Sequence, residues 1–485
     1  MTQQATAVVT PPQEKKYVKT PEFVLYLVAV FFYTNMTGMV GQYRSAYLVN
    51  VLHLNKEQNS LFSVLTSVIP FVLNFFITMY IDGRHTGKSG KFRPLVTLAA
   101  VPCGILLMLS FWAPKALTGT LLMVYVVTVA VAWSVATNFG NTINMTAVVM
   151  TPNTKERDNV ISFRGISSAV GNSAALVIVM VVALITDSEA MQYIITAALS
   201  GVVGIITMLI GMKAVRERIT YSQEKKNPLI GFVDVLKNKS SWVIFISEFL
   251  KSFRNVATYM GVFLAAALLG STSKYLLFAL PTGIGTAVGM LVINFLLKKF
   301  TSKTLYIASG VYSLIANAAA FGVGYAYFNN PNPVLQIVFV VFLFLIGLQF
   351  GASNLLPEMF KADALEEIEL TTGKRLDASL PFVQGIFTLI SGTIASAVAP
   401  LILLDSAVIG YIQPTDAIPN PEQSLHTKIL LLFFYTVVHG IMMLLAGVPY
   451  FFWKLTGKRK EEIHEGVLAR RAQFEEAEEP DAENK

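Results

Sequence analysis

Charge is what this chain lacks most. Of its 485 residues only 14% are Asp, Glu, Lys or Arg, while 54% are hydrophobic; a soluble domain carries about 25% charged residues. A water-facing surface built from this composition would be under-supplied with charge, and the apolar residues come in long blocks, so a soluble globular domain is excluded. Cys103 is the only cysteine, which excludes an intrachain disulfide and a cysteine-based metal centre. The five histidines are scattered without paired ligand spacing, so no structural metal is expected, and no cofactor. No nucleophile elbow and no His/Glu metal motif is visible, which leaves an embedded enzyme without a catalytic constellation. The polar opening, MTQQATAVVTPPQEKKYVKT, lacks the charged-then-apolar order of a cleaved signal peptide. Insertion is expected to begin with the first helix itself.

What is present is a series of apolar blocks, each near the roughly twenty residues that a bilayer-spanning helix needs. They fall near 23–50, 59–81, 94–113, 119–149, 162–186 and 191–212, then 241–269, 273–297, 303–328, 333–356, 378–404 and 427–453. The expected fold class is an all-α membrane protein with twelve transmembrane helices in two six-helix halves. The N-terminal segment covers 1–22, the first half 23–212, a linker 213–240, the second half 241–456 and a charged tail 457–485. Halves of this kind, each built of inverted three-helix repeats, put a binding site between them near mid-membrane.

The net charge of +7 does not indicate nucleic acid, because the basic residues sit in short loops where they meet lipid headgroups. Placing both termini in the cytosol leaves only Lys56, Lys115, Lys274 and Lys428 in the outside loops. The inside segments then hold Lys15, Lys16, Lys19, Arg84, Lys88, Lys91, Arg93 and later clusters through Arg459 and Lys460. That asymmetry predicts a multi-pass protein of the cell membrane with both termini inside.

Three loops carry a resemblance. Residues 82–94 read DGRHTGKSGKFRP; residues 151–157 read TPNTKER, with Arg164 about one turn into the next helix; and Asp363, Glu366 and Glu369 precede Thr372, Gly373 and Arg375. Gln384 follows in the eleventh helix. Together they are similar to the glycoside–pentoside–hexuronide:cation symporters, a branch of the major facilitator superfamily that includes the melibiose carrier. The resemblance covers about 20–455 and implies the major facilitator fold and solute uptake driven by an ion gradient. It also implies a sugar-binding role for Arg164, and latching of the two halves by loop charges such as Asp82, Lys91, Arg93, Arg157, Asp363, Glu366 and Arg375. The bland alternative is that these charges only fix topology.

The departures matter as much. Sodium-using members carry paired aspartates in the second helix, where residues 70–78 here read PFVLNFFIT without a carboxylate. The acidic residue usual in the fourth helix is replaced by Gly140, and a lysine often found in the eleventh is absent near Leu389. A family sodium site is therefore not carried over, and a proton is the expected coupling ion, with uniport as the alternative.

An intramembrane charge costs about 2.5–3.5 kcal/mol on insertion scales, so each is a candidate for function. Glu248, Lys251 and Arg254 recur every three residues in the seventh span, which sets them on one drifting face. That face lines the path, with Glu248 as proton candidate, or forms a structural ion-pair network. Arg44 in the first span is a second cationic ligand candidate; its alternative is a side chain reaching outward to headgroups. Asn138, Asn141 and Asn144 share a face of the fourth span near Trp133. Amides and an aromatic face suit a hydroxyl-rich pyranose, or else glue helices together. Gly283, Gly285 and Gly289 lie mid-span with no preceding strand, so they read as helix packing rather than a dinucleotide fingerprint. The surplus of cations over Glu248 favours an acidic sugar such as a hexuronide.

Overall fold

A computed structural model describes residues 16–83, 87, 89–218, 231–373, 376, 379–415, 418–467 and 469. Among them there is no β-strand, and twelve helices are long and apolar enough to cross a membrane. In order they are Thr20–Val51, Lys56–Ile81, Arg93–Ser110, Gly119–Val149, Glu156–Val182, Glu189–Ala214, Lys239–Leu269, Thr272–Leu296, Ser302–Asn329, Pro333–Thr372, Ser379–Leu404 and Leu425–Phe452. We call these spans one to twelve. The chain is therefore a multi-pass membrane protein of the expected fold class.

Within the first half, span one packs on spans five and six, and span three on spans four and six. In the second half, span eight packs closely on span ten, which also meets span nine. The halves meet chiefly along spans two and eleven. The span eight–ten crossing explains two of the glycines in 283–289. A Cβ on Gly285 would fall 2.1 Å from the Phe344 carbonyl oxygen and one on Gly289 2.2 Å from that of Leu348, whereas Gly283 faces open space. Only hydrogen lets the two backbones approach this closely.

Two expected loops are helix instead. The segment 357–377 is helical to Thr372, where Gly373 closes the helix at φ 74°. Span five begins at Thr154 rather than near 162, capped by Asn153, whose side chain accepts from the Glu156 backbone N–H. Both extensions are charged helices that outlast the apolar block, so a count of apolar residues ends too early. In the first, Glu358 and Lys361 pair along one face at 2.5 Å. The tail begins as a helix over 458–467 that buries Ile463 and Val467.

Spans four and seven are interrupted. The fourth breaks between Gly140 and Ile143, the seventh between Ser252 and Asn255. At the first break, Tyr33 donates to the Thr137 carbonyl at 2.8 Å and Tyr26 to the Ile143 carbonyl at 2.9 Å. Gly140 makes room for the Tyr33 ring, 2.7 Å from where its Cβ would sit. At the second break the backbone turns tighten to i→i+3, Phe253 N–H to Leu250 and Arg254 N–H to Lys251. Such interruptions free backbone groups and re-aim the neighbouring side chains.

Candidate functional site

The two interruptions carry the candidate residues. At the seventh-span break, Lys251 pairs with Glu248, both largely buried. Arg254 has no carboxylate partner within salt-bridge distance among the described residues. Its guanidinium lies 5.0 Å from the Phe350 ring centroid and 3.5 Å from the Ser353 hydroxyl. His439 of span twelve packs against the same Phe350 ring at 4.9 Å, directly after a π-helical turn at Phe434–Val438. Glu248, Lys251 and Arg254 are thus brought together with aromatic and hydroxyl partners from spans ten and twelve.

The fourth-span break gathers amides. Asn144 donates to Asn141 Oδ1 at 2.6 Å, and Asn138 reaches the Asn74 carbonyl at 3.5 Å while Asn74 donates to the Ser134 hydroxyl at 3.3 Å. Arg164 donates to the Asn144 carbonyl at 3.2 Å, and its buried Nε has no partner. This wall therefore holds Asn138, Asn141, Asn144 and Arg164 within one short stretch. Trp133 lies apart from them in the main apolar core, 6% exposed, so it offers no open ring face. Arg44 sits among Tyr47, Phe62, Tyr125 and Val129 within the first half, its guanidinium 5.4 Å from the Phe62 centroid. It joins neither group. Gln384 is half-buried in span eleven.

Several of the loop charges have described partners near this end. Glu217, at the start of the linker, accepts from the backbone N–H groups of Lys91, Phe92 and Arg93 at 2.7, 2.9 and 2.6 Å, which caps span three. Asp363 pairs with Lys460 at 2.8 Å and Glu366 meets His464 at 3.3 Å, which ties span ten to the tail helix of its own half. Arg157 is half-buried in the first turns of span five. The side chain of Asp82 and all of Arg375 lie outside the described residues. The partners described for Asp363 and Glu366 thus lie in the tail helix, and Glu217 holds the backbone at Lys91 and Arg93.

The polar bridges between halves gather instead at the opposite, distal end, away from the chain termini. Lys56 pairs with Asp405 at 2.6 Å, and the hydrogen bond holds the Asp405 carboxyl below the usual carboxylate range. Gln413 donates to the Val49 carbonyl at 3.0 Å. Thr272, at the start of span eight, donates to Glu189, at the start of span six, at 2.7 Å. Toward the other end, spans two and eleven still touch through Phe75 and Phe382, 5.5 Å apart.

Three polar residues beside the second-half cluster escaped the sequence reading. Asn255 and Thr258 are exposed just after the seventh-span break, and Asn354 is exposed next to Ser353. An amide turned to lipid is costly, so these side chains belong to the interior between the halves. The signal was available: Asn255 and Thr258 are polar neighbours, one and four residues after Arg254.

Residues 25–457 match the family described as MFS/sugar transport protein. A protein of Escherichia coli (strain K12) provisionally named a glycoside/cation symporter, YagG, is 25% identical over 469 residues, covering 92% of this chain and 91% of its own. A Salmonella typhimurium protein provisionally named a sulfoquinovose importer is 24% identical over 462 residues, 92% and 89% of the two chains. Among solved structures, a D-xylose–proton symporter aligns with a TM-score of 0.62 at 16% identity, covering 92% of this chain and 99% of that one. The likeness to that structure is one of fold.

Proposed function

We propose that this chain, which belongs to the MFS/sugar transport protein family and is a transporter rather than an enzyme, takes up an acidic sugar, such as a hexuronide or its glycoside, by alternating access. Uptake is coupled to protons and not to sodium, across the cell membrane, with both termini in the cytosol. Two relatives named for glycoside/cation symport and sulfoquinovose import support the sugar reading. The single observation behind the acidic preference is the uncompensated cation of the second-half wall. Glu248 is taken up by Lys251, while Arg254, stacked on Phe350, has no carboxylate partner among the described residues. A buried cation without a partner is costly, and a ligand carboxylate suits the planar guanidinium fork. Asn138, Asn141, Asn144 and Arg164 of the first half are the donors and acceptors proposed for the sugar hydroxyls.

The distal bridges between halves support the state in which the path faces the cytosol. The test uses proteoliposomes holding only this protein, with a uronate and its neutral parent sugar as competitors for uptake. The uronate is expected to compete better, and preference for the neutral sugar would overturn the acidic reading. In the same vesicles Glu248→Gln is expected to keep solute exchange and lose pH-driven accumulation. Unchanged accumulation would move the coupling proton elsewhere or favour facilitated diffusion. For orientation, cysteines at Lys239 and Ser424, both exposed, are expected to label from opposite faces, Lys239 from the cytosol.

A further inference from the structure

The distal bridge at Glu189 contains more oxygen contacts than an ionised carboxylate could fill with hydrogens. Glu189 Oε1 lies 2.6 Å from the Tyr193 hydroxyl and 2.7 Å from the Thr272 hydroxyl, and those two hydroxyls lie 2.7 Å from each other. Each side of this triangle is a normal O–H···O distance, and each needs one hydrogen between its oxygens. Two hydroxyls supply two hydrogens. If Glu189 is ionised, one contact is left with two oxygens facing each other and nothing between them. A carboxyl proton on Oε1 completes the set: Glu189 donates to Tyr193, Tyr193 donates to Thr272, and Thr272 donates back to Glu189. Each contact of the triangle then holds one hydrogen.

The surroundings agree with a neutral acid. Asn50, on the π-helical turn that ends span one, donates to the carboxyl oxygens at 3.2 and 3.3 Å. Tyr193 and Asn50 are buried, as is Thr272. No lysine or arginine pairs with Glu189 among the described residues, so an ionised form would be a buried, uncompensated anion. The ionisable groups facing it are Tyr193 on its own helix, His53 at the end of span one, Tyr43 within span one, and Tyr411 in the connection after span eleven. Tyr275, beside Thr272, faces Tyr43, and Asp187 precedes the helix in sequence.

We propose that Glu189 is a proton-binding site closed between the two halves, occupied when the distal end is sealed and emptied when it opens. Thr272 belongs to the other half, so opening removes it from the triangle and exposes the carboxyl to water, where it ionises as an ordinary glutamate. The proton is thus held more tightly in the sealed state than in the open one. Sealing is favoured at low pH and weakened as pH rises through the sealed-state midpoint. This site is independent of which solute is carried and of the role given to Glu248.

The test measures distal opening directly. Cys103 is replaced by alanine, and spin labels are placed on cysteines at Lys115 and Asn330, both exposed at the distal end, one on each half. Pulsed electron–electron distances are recorded in detergent from pH 5 to pH 9. The longer, distal-open distances are expected to gain population as pH rises. Glu189→Gln, which keeps an uncharged side chain, is expected to abolish the pH response and hold the short distance throughout. Tyr193→Phe leaves only the Glu189–Thr272 contact, which the Thr272 hydrogen fills without a carboxyl proton, and is expected to move the midpoint down by about one pH unit. Distances independent of pH in the parent protein would overturn the proposal. So would an unchanged response in Glu189→Gln or, should that variant fail to fold, an unmoved midpoint in Tyr193→Phe.

Discussion

The two helix breaks, one in each half, are built from different chemistry. The first-half wall is mostly a run of amides at the fourth-span break, where Asn144 donates to Asn141 and Arg164 to the Asn144 carbonyl, its Nε left without a partner. The second-half wall, at the seventh-span break, is ionic: a buried Glu248–Lys251 pair and the unpaired Arg254. The breaks are equivalent in construction and opposite in electrostatic cost. Neutral amides that lose a partner give up one hydrogen bond each, whereas a buried ion that loses its partner is stranded. The second wall should therefore govern stability and ligand charge, and the first should tune affinity.

The largest effect that would sharpen this contrast comes from the ion pair. Lys251→Met strands Glu248, and breaking a buried pair costs about 3–5 kcal/mol. The apparent Tm in detergent should fall clearly, and the double variant Lys251→Met with Glu248→Gln should recover most of the loss. A Lys251→Met protein as stable as its parent would mean that water reaches the pair and that the second wall is no more demanding than the first. Next comes Arg254→Gln. Losing a charge-assisted contact worth about 1.5–3 kcal/mol should raise KM for a uronate roughly 10- to 100-fold and leave the neutral sugar changed by only a few fold. Arg254→Lys should recover part of the loss. Equal losses for both sugars would place Arg254 in packing against Phe350 and away from the ligand.

A smaller effect is expected in the first wall. Asn141→Ala removes one neutral hydrogen-bonding group, worth about 0.5–1.5 kcal/mol, and should weaken uronate and neutral sugar alike. A selective loss of the uronate would break the division of labour between the walls.

The span count and the charges within the seventh span were legible because apolar length and intramembrane charge are strong one-dimensional signals. Helix ends were not. The tenth span runs to Thr372 because a charged helix needs no apolar residues once it leaves the membrane. Pairings were less legible still. Lys91 and Asp363 look alike as basic and acidic loop residues, yet one is part of a turn capped by Glu217 and the other meets the tail at Lys460. Trp133 had the right sequence neighbours for a sugar platform, but the helix turns it into the core. Asn50, Glu189 and Thr272 carry no common sequence signal, since each reads only as the end of a different span.

The smallest expected effect concerns sodium, and it tests the first wall by its silence. A sodium ion gives up much of its hydration on entering a protein, and an ionised carboxylate among its oxygen ligands offsets that loss. Residues 70–78 of span two contain none: Asn74 donates to the Ser134 hydroxyl and its backbone carbonyl receives Asn138, which leaves only neutral oxygens there, its own Oδ1 and the Thr78 hydroxyl. Ser134, Asn138 and Asn141 add only neutral oxygens, and Arg164 beside Asn144 repels a cation. The carboxylates near the other wall are no substitute, because Glu248 is held by Lys251. Replacing sodium by potassium at constant pH and ionic strength should therefore leave uptake rate and solute affinity unchanged within about twofold, a difference of roughly 0.4 kcal/mol. A larger stimulation by sodium that survives in Glu248→Gln would assign a cation site to the amide wall and reverse the contrast drawn between the two.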